Sequence, residues 1–313
     1  MKGSAMILLS NGHEVKHVIA SGAMGVDAKG YLWEKLQIRT GHIDLSLFTI
    51  VLKTLTRNMR KGYLRWYKPW ECVKLIPGGS VNKVGLRNEG IESWCDRVGP
   101  YLDYRKLSLV ASIAGDEQES AEMALMLNLF DFKAYEVNPF CPNTGKAFPT
   151  AEKVIRIVKA VKAVSPNKPI IIKVSEASEY LEIACGLEGI AEAISLNSVQ
   201  FERVFPGEQS PLWRLEKEVG GGGGGVSGKP AQLQNWAAVR ALTNQGCLPV
   251  IAPSIMRYED IAYVTEVLKA GAVSFGAIHL PSYPVWQHPW TLFTNPCEPT
   301  RFVRKDMRHG HNC

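Results

Sequence analysis

At 313 residues the chain can hold one large domain or two, and its 46% hydrophobic, 21% charged composition is that of a globular protein with a sizeable core. No run approaches the roughly 18 apolar residues of a membrane helix, and the apolar stretch Ala5 to Leu9 is too short for a secretory leader, so a cytosolic protein without membrane attachment is expected. The net charge of +6 raises nucleic acid as a partner, but the excess is local. Between Arg57 and Lys74, six cations (Arg57, Arg60, Lys61, Arg65, Lys68 and Lys74) face only Glu71, interleaved with Tyr63, Trp66, Tyr67 and Trp70. Such a stripe can grip a phosphate backbone, form a solvated loop or wall a site for a small anion. Confinement to one segment speaks against nucleic acid. The seven cysteines (72, 95, 141, 185, 247, 297 and 313) contain no CxxC pair, so no disulfide framework or metal cluster is expected and most should be reduced.

In chain order, Val18 to Gly22 is a β-branched run ending at glycine, and Leu47 to Thr54 is another, ending in Lys53 and Thr54. After the basic-aromatic segment and SVNKVGLRN (Ser80 to Asn88), Leu107 to Gly115 reads as a strand and Ser120 to Phe130 as a helix. Ala134 to Asn138 is a short apolar strand that breaks at Pro139 and feeds a loop holding Cys141, Pro142 and Asn143. Thr150 caps a helix with apolar residues at Val154, Ile157, Val158 and Val161. Pro169 to Val174 is too uniformly apolar for a wet face and reads as a strand buried on both sides. A helix over Glu179 to Leu187 and a strand over Ala193 to Ser198 follow, then a polar, irregular stretch from Val199 to Val219 and six consecutive glycines, Gly220 to Gly225. Pro230 to Thr243 is helical, Leu248 to Ala252 a strand, Tyr258 to Leu268 a helix and Ala272 to Ala277 a last strand.

Eight strands alternating with helices predict parallel pairing and an α/β, (β/α)8 barrel over residues 1–280, with 281–313 an unassigned extension. An open doubly wound sheet is the alternative. In such a barrel the site lies at the carboxyl ends of the strands. There the sequence places Ser21 with Gly22, Lys53 with Thr54, Asn82, Ser112, Asn138 with Cys141 and Asn143, Lys173 with Ser175, Asn197 with Ser198, and Ser274 with Gly276. Unpaired buried polar groups are costly, so lysines and asparagines at so many strand ends describe donors around a flat polar ligand. Gly224, Gly225 and the residues up to Pro230 precede a helix, where glycine backbone and helix N-terminus together favour a phosphate. A polyglycine linker is the other reading.

These residues resemble the FMN-dependent dihydroorotate dehydrogenases and related dihydropyrimidine-oxidising enzymes. ASGAMG (Ala20 to Gly25), LKTLTRNMRKG (Leu52 to Gly62), SVNKVGLRNEG (Ser80 to Gly90) and EVNPFCPN (Glu136 to Asn143) are similar to that family's motifs, and IIKVS, LNS and GGVSG follow in its order. The resemblance implies that Cys141 takes a proton from C5 of dihydroorotate while the C6 hydrogen passes as hydride to FMN N5. Asn82, Asn138, Asn143, Asn197 and Ser198 would hold the pyrimidine, with the backbone of Gly85 and Leu86 near its carboxylate. Lys53 would bridge substrate and flavin. The flavin would contact Ala20, Ser21, Gly22, Thr54, Ser112, Lys173 and Asn197, and its phosphate Gly224, Gly225, Ser254, Gly276 and Ala277. A cysteine base resembles the soluble class 1 branch, whose habit is a homodimer, some members with an electron-transfer partner subunit. The chain departs from the family at Pro253–Ser254, where glycines are usual, at Pro139–Phe140 and at Tyr63. Another dihydropyrimidine as substrate, and a flavin-free lyase or isomerase using a lysine Schiff base, are the competing readings.

Overall fold

The computed structural model describes residues 5–39, 43–65, 68–139 and 148–276. The expectations for Cys141, Asn143, Ala277, Trp66, Tyr67 and the extension 281–313 lie outside these residues. The chain opens with a two-stranded antiparallel hairpin, β1 (Ile7–Leu8) and β2 (Glu14–Val15), then enters β3 (His17–Ile19). After α1 (Leu32–Arg39) come β4 (Thr49–Val51), a second hairpin of β5 (Val73–Ile76) and β6 (Gly79–Asn82), and α2 (Ile91–Arg97). There follow β7 (Ser108–Ile113), α3 (Glu117–Leu127), β8 (Ala134–Val137), α4 (Ala151–Val164), β9 (Ile170–Val174) and α5 (Tyr180–Gly186). Next are β10 (Ala193–Leu196), β11 (Val199–Gln200), α6 (Phe201–Val204), α7 (Trp213–Val219), β12 (Gly225–Gly228), α8 (Gln232–Gln245), β13 (Val250–Ala252), α9 (Tyr258–Ala262) and β14 (Ala272–Phe275).

Strands β3, β4, β7, β8, β9, β10, β13 and β14 pair in that order and close on themselves, all parallel. This is the expected (β/α)8 barrel, and each predicted barrel strand is present. Strand β9 (IIIKV) is buried along its whole length, as strands covered by helices outside and side chains inside must be. Local signals set the helix ends. Thr150 Oγ1 accepts the Lys153 amide at α4, and at α3 Asp116 and Glu119 exchange side-chain-to-backbone hydrogen bonds in a capping box. That box starts α3 at Glu117, three residues before the apolar periodicity first showed it.

Two expectations are corrected. The stretch from Val199 to Val219 is not irregular: it holds β11, α6 and α7, each too short for a hydrophobic period to register. Cys185 and Cys247 form a disulfide between α5 and the turn just after α8. They are 62 residues apart, and only the packing of α5 against α8 brings them together, so no spacing could announce the bond.

The barrel interior is layered. Its lower part is the apolar cluster Val18, Val51, Val110, Ala134, Ile171, Ala193, Ile251 and Ala272, joined by Ile7, Leu9 and Val15 of the first hairpin. That hairpin is tied across the barrel base by Ser10 to the Glu192 carboxylate, Asn11 Nδ2 to the Lys133 carbonyl, and His13 Nε2 to Thr49 Oγ1. At the opposite end a four-stranded antiparallel sheet, ordered β11-β12-β6-β5, stands over the strand ends on its own small core of Val81, Val199, Phe201, Leu212 and Val226.

Candidate active site

Side chains on one face of a strand recur every second residue, so the barrel's inner faces can be read upward in steps of two. On β8 the series is Ala134, Glu136, Asn138; on β9 it is Ile171, Lys173, Ser175; on β10 it is Ala193, Ser195, Asn197. Each begins in the apolar lower layer and turns polar half-way up. Cross-strand register puts Ser112 beside Glu136 and Lys173 beside Ser195.

A connected polar network results. Ser21 Oγ donates to the Leu52 carbonyl at 2.9 Å and lies 2.9 Å from Thr54 Oγ1, which is 2.8 Å from Ser112 Oγ. Ser112 donates to Glu136 Oε1 at 2.8 Å, which also pairs with Lys173 Nζ at 3.3 Å. Above it, Asn138 Nδ2 reaches Thr54 Oγ1 and Asn197 Nδ2 reaches Asn138 Oδ1, each at 3.5 Å. Both contacts lie at the long end of hydrogen-bond geometry.

One cavity of about 1580 Å³ receives this network. It is lined by Ala20, Ser21, Gly22, Lys53, Thr54, Asn82, Leu86, Asn138, Lys173, Asn197, Ser198, Ser254 and Gly276. Of the other expected residues, Ser112 sits behind the floor, joining Thr54 to Glu136, and Gly85 turns the chain so that Leu86 reaches the cavity. Gly85 and Leu86 are both left-handed (φ 72° and 54°), and a Cβ on Gly85 would meet the Tyr63 ring at 2.8 Å. Only glycine fits there. Gly224 and Gly225 are not brought to the cavity: Gly225 pairs with Asn82 in the covering sheet, and Val226, Ser227 and Gly228 line the cavity instead.

The glycine run is not a linker. The buried Lys83 ammonium donates to the carbonyls of Gly220 and Gly221, Ser210 Oγ donates to the Gly223 carbonyl, and the Gly223 amide donates to Glu216 Oε1. The described part of the basic-aromatic segment borders the cavity. Arg57 is taken up by Glu92 and Glu122, and Arg65 and Lys68 share Glu71. Arg60, Lys61, Tyr63, Arg65, Trp70 and Lys74 form a wall of the cavity, as the reading of a wall for a small anion requires. Among the described residues the lining carries eight cationic side chains against three carboxylates, so the field inside favours anions.

At the far side the Pro253–Ser254 departure has a structural answer. Ser254 takes a left-handed conformation (φ 64°) normally left to glycine. It is held there by Gln232 Nε2 on its carbonyl at 2.9 Å and Asn235 Nδ2 on its hydroxyl at 3.1 Å, both from the first turns of α8. Asn235 is buried, lines the cavity and has an amide oxygen without a hydrogen-bond partner. Cys72 and Cys95 are the free cysteines among the described residues, and burial pushes both thiols up to about 11, so neither is a thiolate at neutral pH.

With the geometry in place, comparison with known proteins decides the family. The family model described as dihydroorotate dehydrogenase matches residues 16–278. The chain belongs to the dihydroorotate dehydrogenase family. The putative dihydroorotate dehydrogenase A (fumarate) of Pediococcus pentosaceus is 33% identical, over 75% of this chain and 78% of its own. The catalytic subunits of dihydroorotate dehydrogenase B (NAD(+)) from Maridesulfovibrio salexigens and Thermoanaerobacter pseudethanolicus are 32% and 31% identical. They match over 75% and 74% of this chain, and over 75% of each relative. The family's barrel thus carries two residues that strand-end reading passed over, Glu136 and Ser195. The signal was there: both sit two residues below an asparagine already singled out, on the same face. Asn235 was missed because a helix residue carries no strand-end mark.

Proposed function

We propose that the cavity oxidises dihydroorotate to orotate, with FMN as its bound hydride acceptor. The observation that carries this reading is the convergence of Lys53, Lys173, Asn82, Asn138 and Asn197 on one anion-favouring cavity in a barrel of this family. The residues present fit a flavin nucleotide. Ser254, the Ser227–Gly228 backbone and the start of α8 offer a phosphate end, and Asn235 supplies a buried amide that lacks a partner on its oxygen. Turned over, that amide presents its NH2 to an anion. Lys53, Thr54, Lys173 and Asn197 offer the ring end.

When bound, FMN supplies the acceptor for the hydride leaving C6. The chain's own residues do the rest. Cys141, outside the described residues, takes the C5 proton. Asn82, Asn138, Asn143, Asn197 and Ser198 orient the pyrimidine, and the left-handed Gly85–Leu86 turn meets its carboxylate. Lys173 provides a fixed cation where negative charge builds. The Schiff-base alternative finds no support at Lys173, whose nitrogen is engaged by the buried Glu136 carboxylate at 3.3 Å. The acceptor that reoxidises the flavin is where the relatives divide, one named for fumarate and two for NAD(+). Among the described residues no helix is long and apolar enough to cross a membrane.

The direct test is an anaerobic visible spectrum before and after adding dihydroorotate. Yellow protein that bleaches supports the reading. Yellow protein that stays yellow moves the substrate to another dihydropyrimidine, and colourless protein that takes up no FMN removes the redox reading.

A further inference from the structure

Glu136 is the buried acid that the proposed reaction does not use. It sits third in β8, is 2% exposed, and directs its carboxylate across the barrel interior. Oε1 accepts from Ser112 Oγ at 2.8 Å and Lys173 Nζ at 3.3 Å, and Oε2 accepts from Ser195 Oγ at 3.4 Å. Three strands therefore serve one carboxylate. Stability is a weak reason for this arrangement, since a buried ion pair is often no better than apolar packing of the same volume. Placement gives a better one. Lys173 lines the cavity and Glu136 does not, so from the ligand's side the carboxylate stands directly behind the ammonium.

We propose that Glu136 is a positioning residue that anchors the Lys173 ammonium at the cavity floor and sets how much of its charge a ligand above it feels. This role rests on the flavin reading of the cavity. A hydride brings two electrons and one proton, so accepting it leaves the isoalloxazine with one more negative charge. Lys173 attracts that charge and Glu136 opposes it, at a depth where water screens little. The pair presents a graded cation, strong enough to favour reduction and weak enough to let the electrons leave again for an acceptor. Full, unopposed charge would hold the cofactor reduced.

The test is the reduced-to-oxidised flavin ratio of the purified holoprotein, equilibrated without substrate against a reference dye of known poise. Glu136→Gln shifts the ratio about tenfold or more toward reduced flavin, because the opposing charge is gone while the ammonium remains. Glu136→Asp keeps the charge but withdraws it, gives a smaller shift of the same sign, and carries the test if the glutamine variant does not fold. Lys173→Gln shifts the ratio the other way. Added to Lys173→Gln, Glu136→Gln then changes it by less than about twofold, since the ammonium that Glu136 holds and offsets is no longer there. A yellow, folded Glu136→Gln protein with the wild-type ratio overturns the role. So does an equally large Glu136→Gln effect with and without Lys173, which would mean that Glu136 does not act through it. Wild-type protein that takes up no flavin overturns the flavin reading, and this role with it; missing visible absorbance tells that outcome from the other two.

Discussion

Asn138 shows how one side chain serves two neighbours: its amide nitrogen reaches Thr54 and its oxygen accepts from Asn197. Removing it strips a proposed substrate contact and loosens both partners, so Asn138→Ala is expected to lower kcat/KM for dihydroorotate by about 10- to 100-fold. Steady-state rates check this, with far-UV circular dichroism confirming the fold. Cys141→Ser replaces the proposed base with a hydroxyl that releases its proton far less readily, and flavin bleaching by dihydroorotate should slow by about 10²- to 10⁴-fold at neutral pH. Stopped-flow absorbance reads it, and an unchanged rate would move the base elsewhere. Much at this scale was legible because strand ends face one direction in a barrel. Lys53, Lys173, Asn138 and Asn197 could be picked out by position alone, and they do meet, joined by Asn82 from the covering sheet. Glu136 escaped notice because it lies one step below the rim, inside a strand whose other residues are apolar or aromatic.

At the scale of elements, β3 carries the clearest pH sensitivity. His17 opens that strand at the barrel base, 6% exposed, with its ring 6.2 Å from those of Phe48 and Phe275. Burial, aided by Lys16, lowers its pKa from 6.5 to about 4. The folded state therefore binds fewer protons than the unfolded state between those values, and stability rises with pH across that window. The contribution is present above about pH 6.5 and is lost as pH falls toward 4, amounting to about 3 kcal/mol in full. Urea unfolding at intervals through that range measures it, and His17→Leu should flatten the dependence. The α5–α8 disulfide makes a separate prediction. Reduction frees a 62-residue loop in the unfolded chain and should cost about 2–4 kcal/mol. Neither cysteine lines the cavity, so turnover at 25 °C should be unaltered while the melting temperature falls. Long helices and buried strands were readable at this scale because their periods repeat. The two-residue β11, the four-residue α6 and the disulfide were not, because each depends on what the folded chain brings alongside.

Across the whole molecule the charge is unevenly placed, and its excess surrounds the cavity. Anionic substrate should be drawn in by this field, so kcat/KM for dihydroorotate is expected to fall by about three- to tenfold as ionic strength rises from ~10 mM to ~300 mM, with kcat little changed. An uncharged dihydropyrimidine tested alongside should show no such loss. A basic composition that resembled a nucleic-acid signature is, in the folded chain, concentrated in the lining of the cavity. Composition could not distinguish the two, because it records how many charges there are and not which way they face.

The six glycines have a consequence of another kind. Lys83 grips main-chain oxygens, which every amino acid has, yet Gly220, Gly221, Gly223 and Gly224 all hold left-handed backbone that other residues resist. The run looks like monotonous spelling but carries information in its count. An added or deleted glycine would slip the carbonyls past the ammonium by one place. Lys83 follows Asn82 in the chain, and Asn82 both faces the cavity and pairs with Gly225. A length error in the plainest stretch of the protein would thus be transmitted to a residue proposed to hold the substrate. Here the reading frame of a loop, and not the identity of its letters, is what selection would guard.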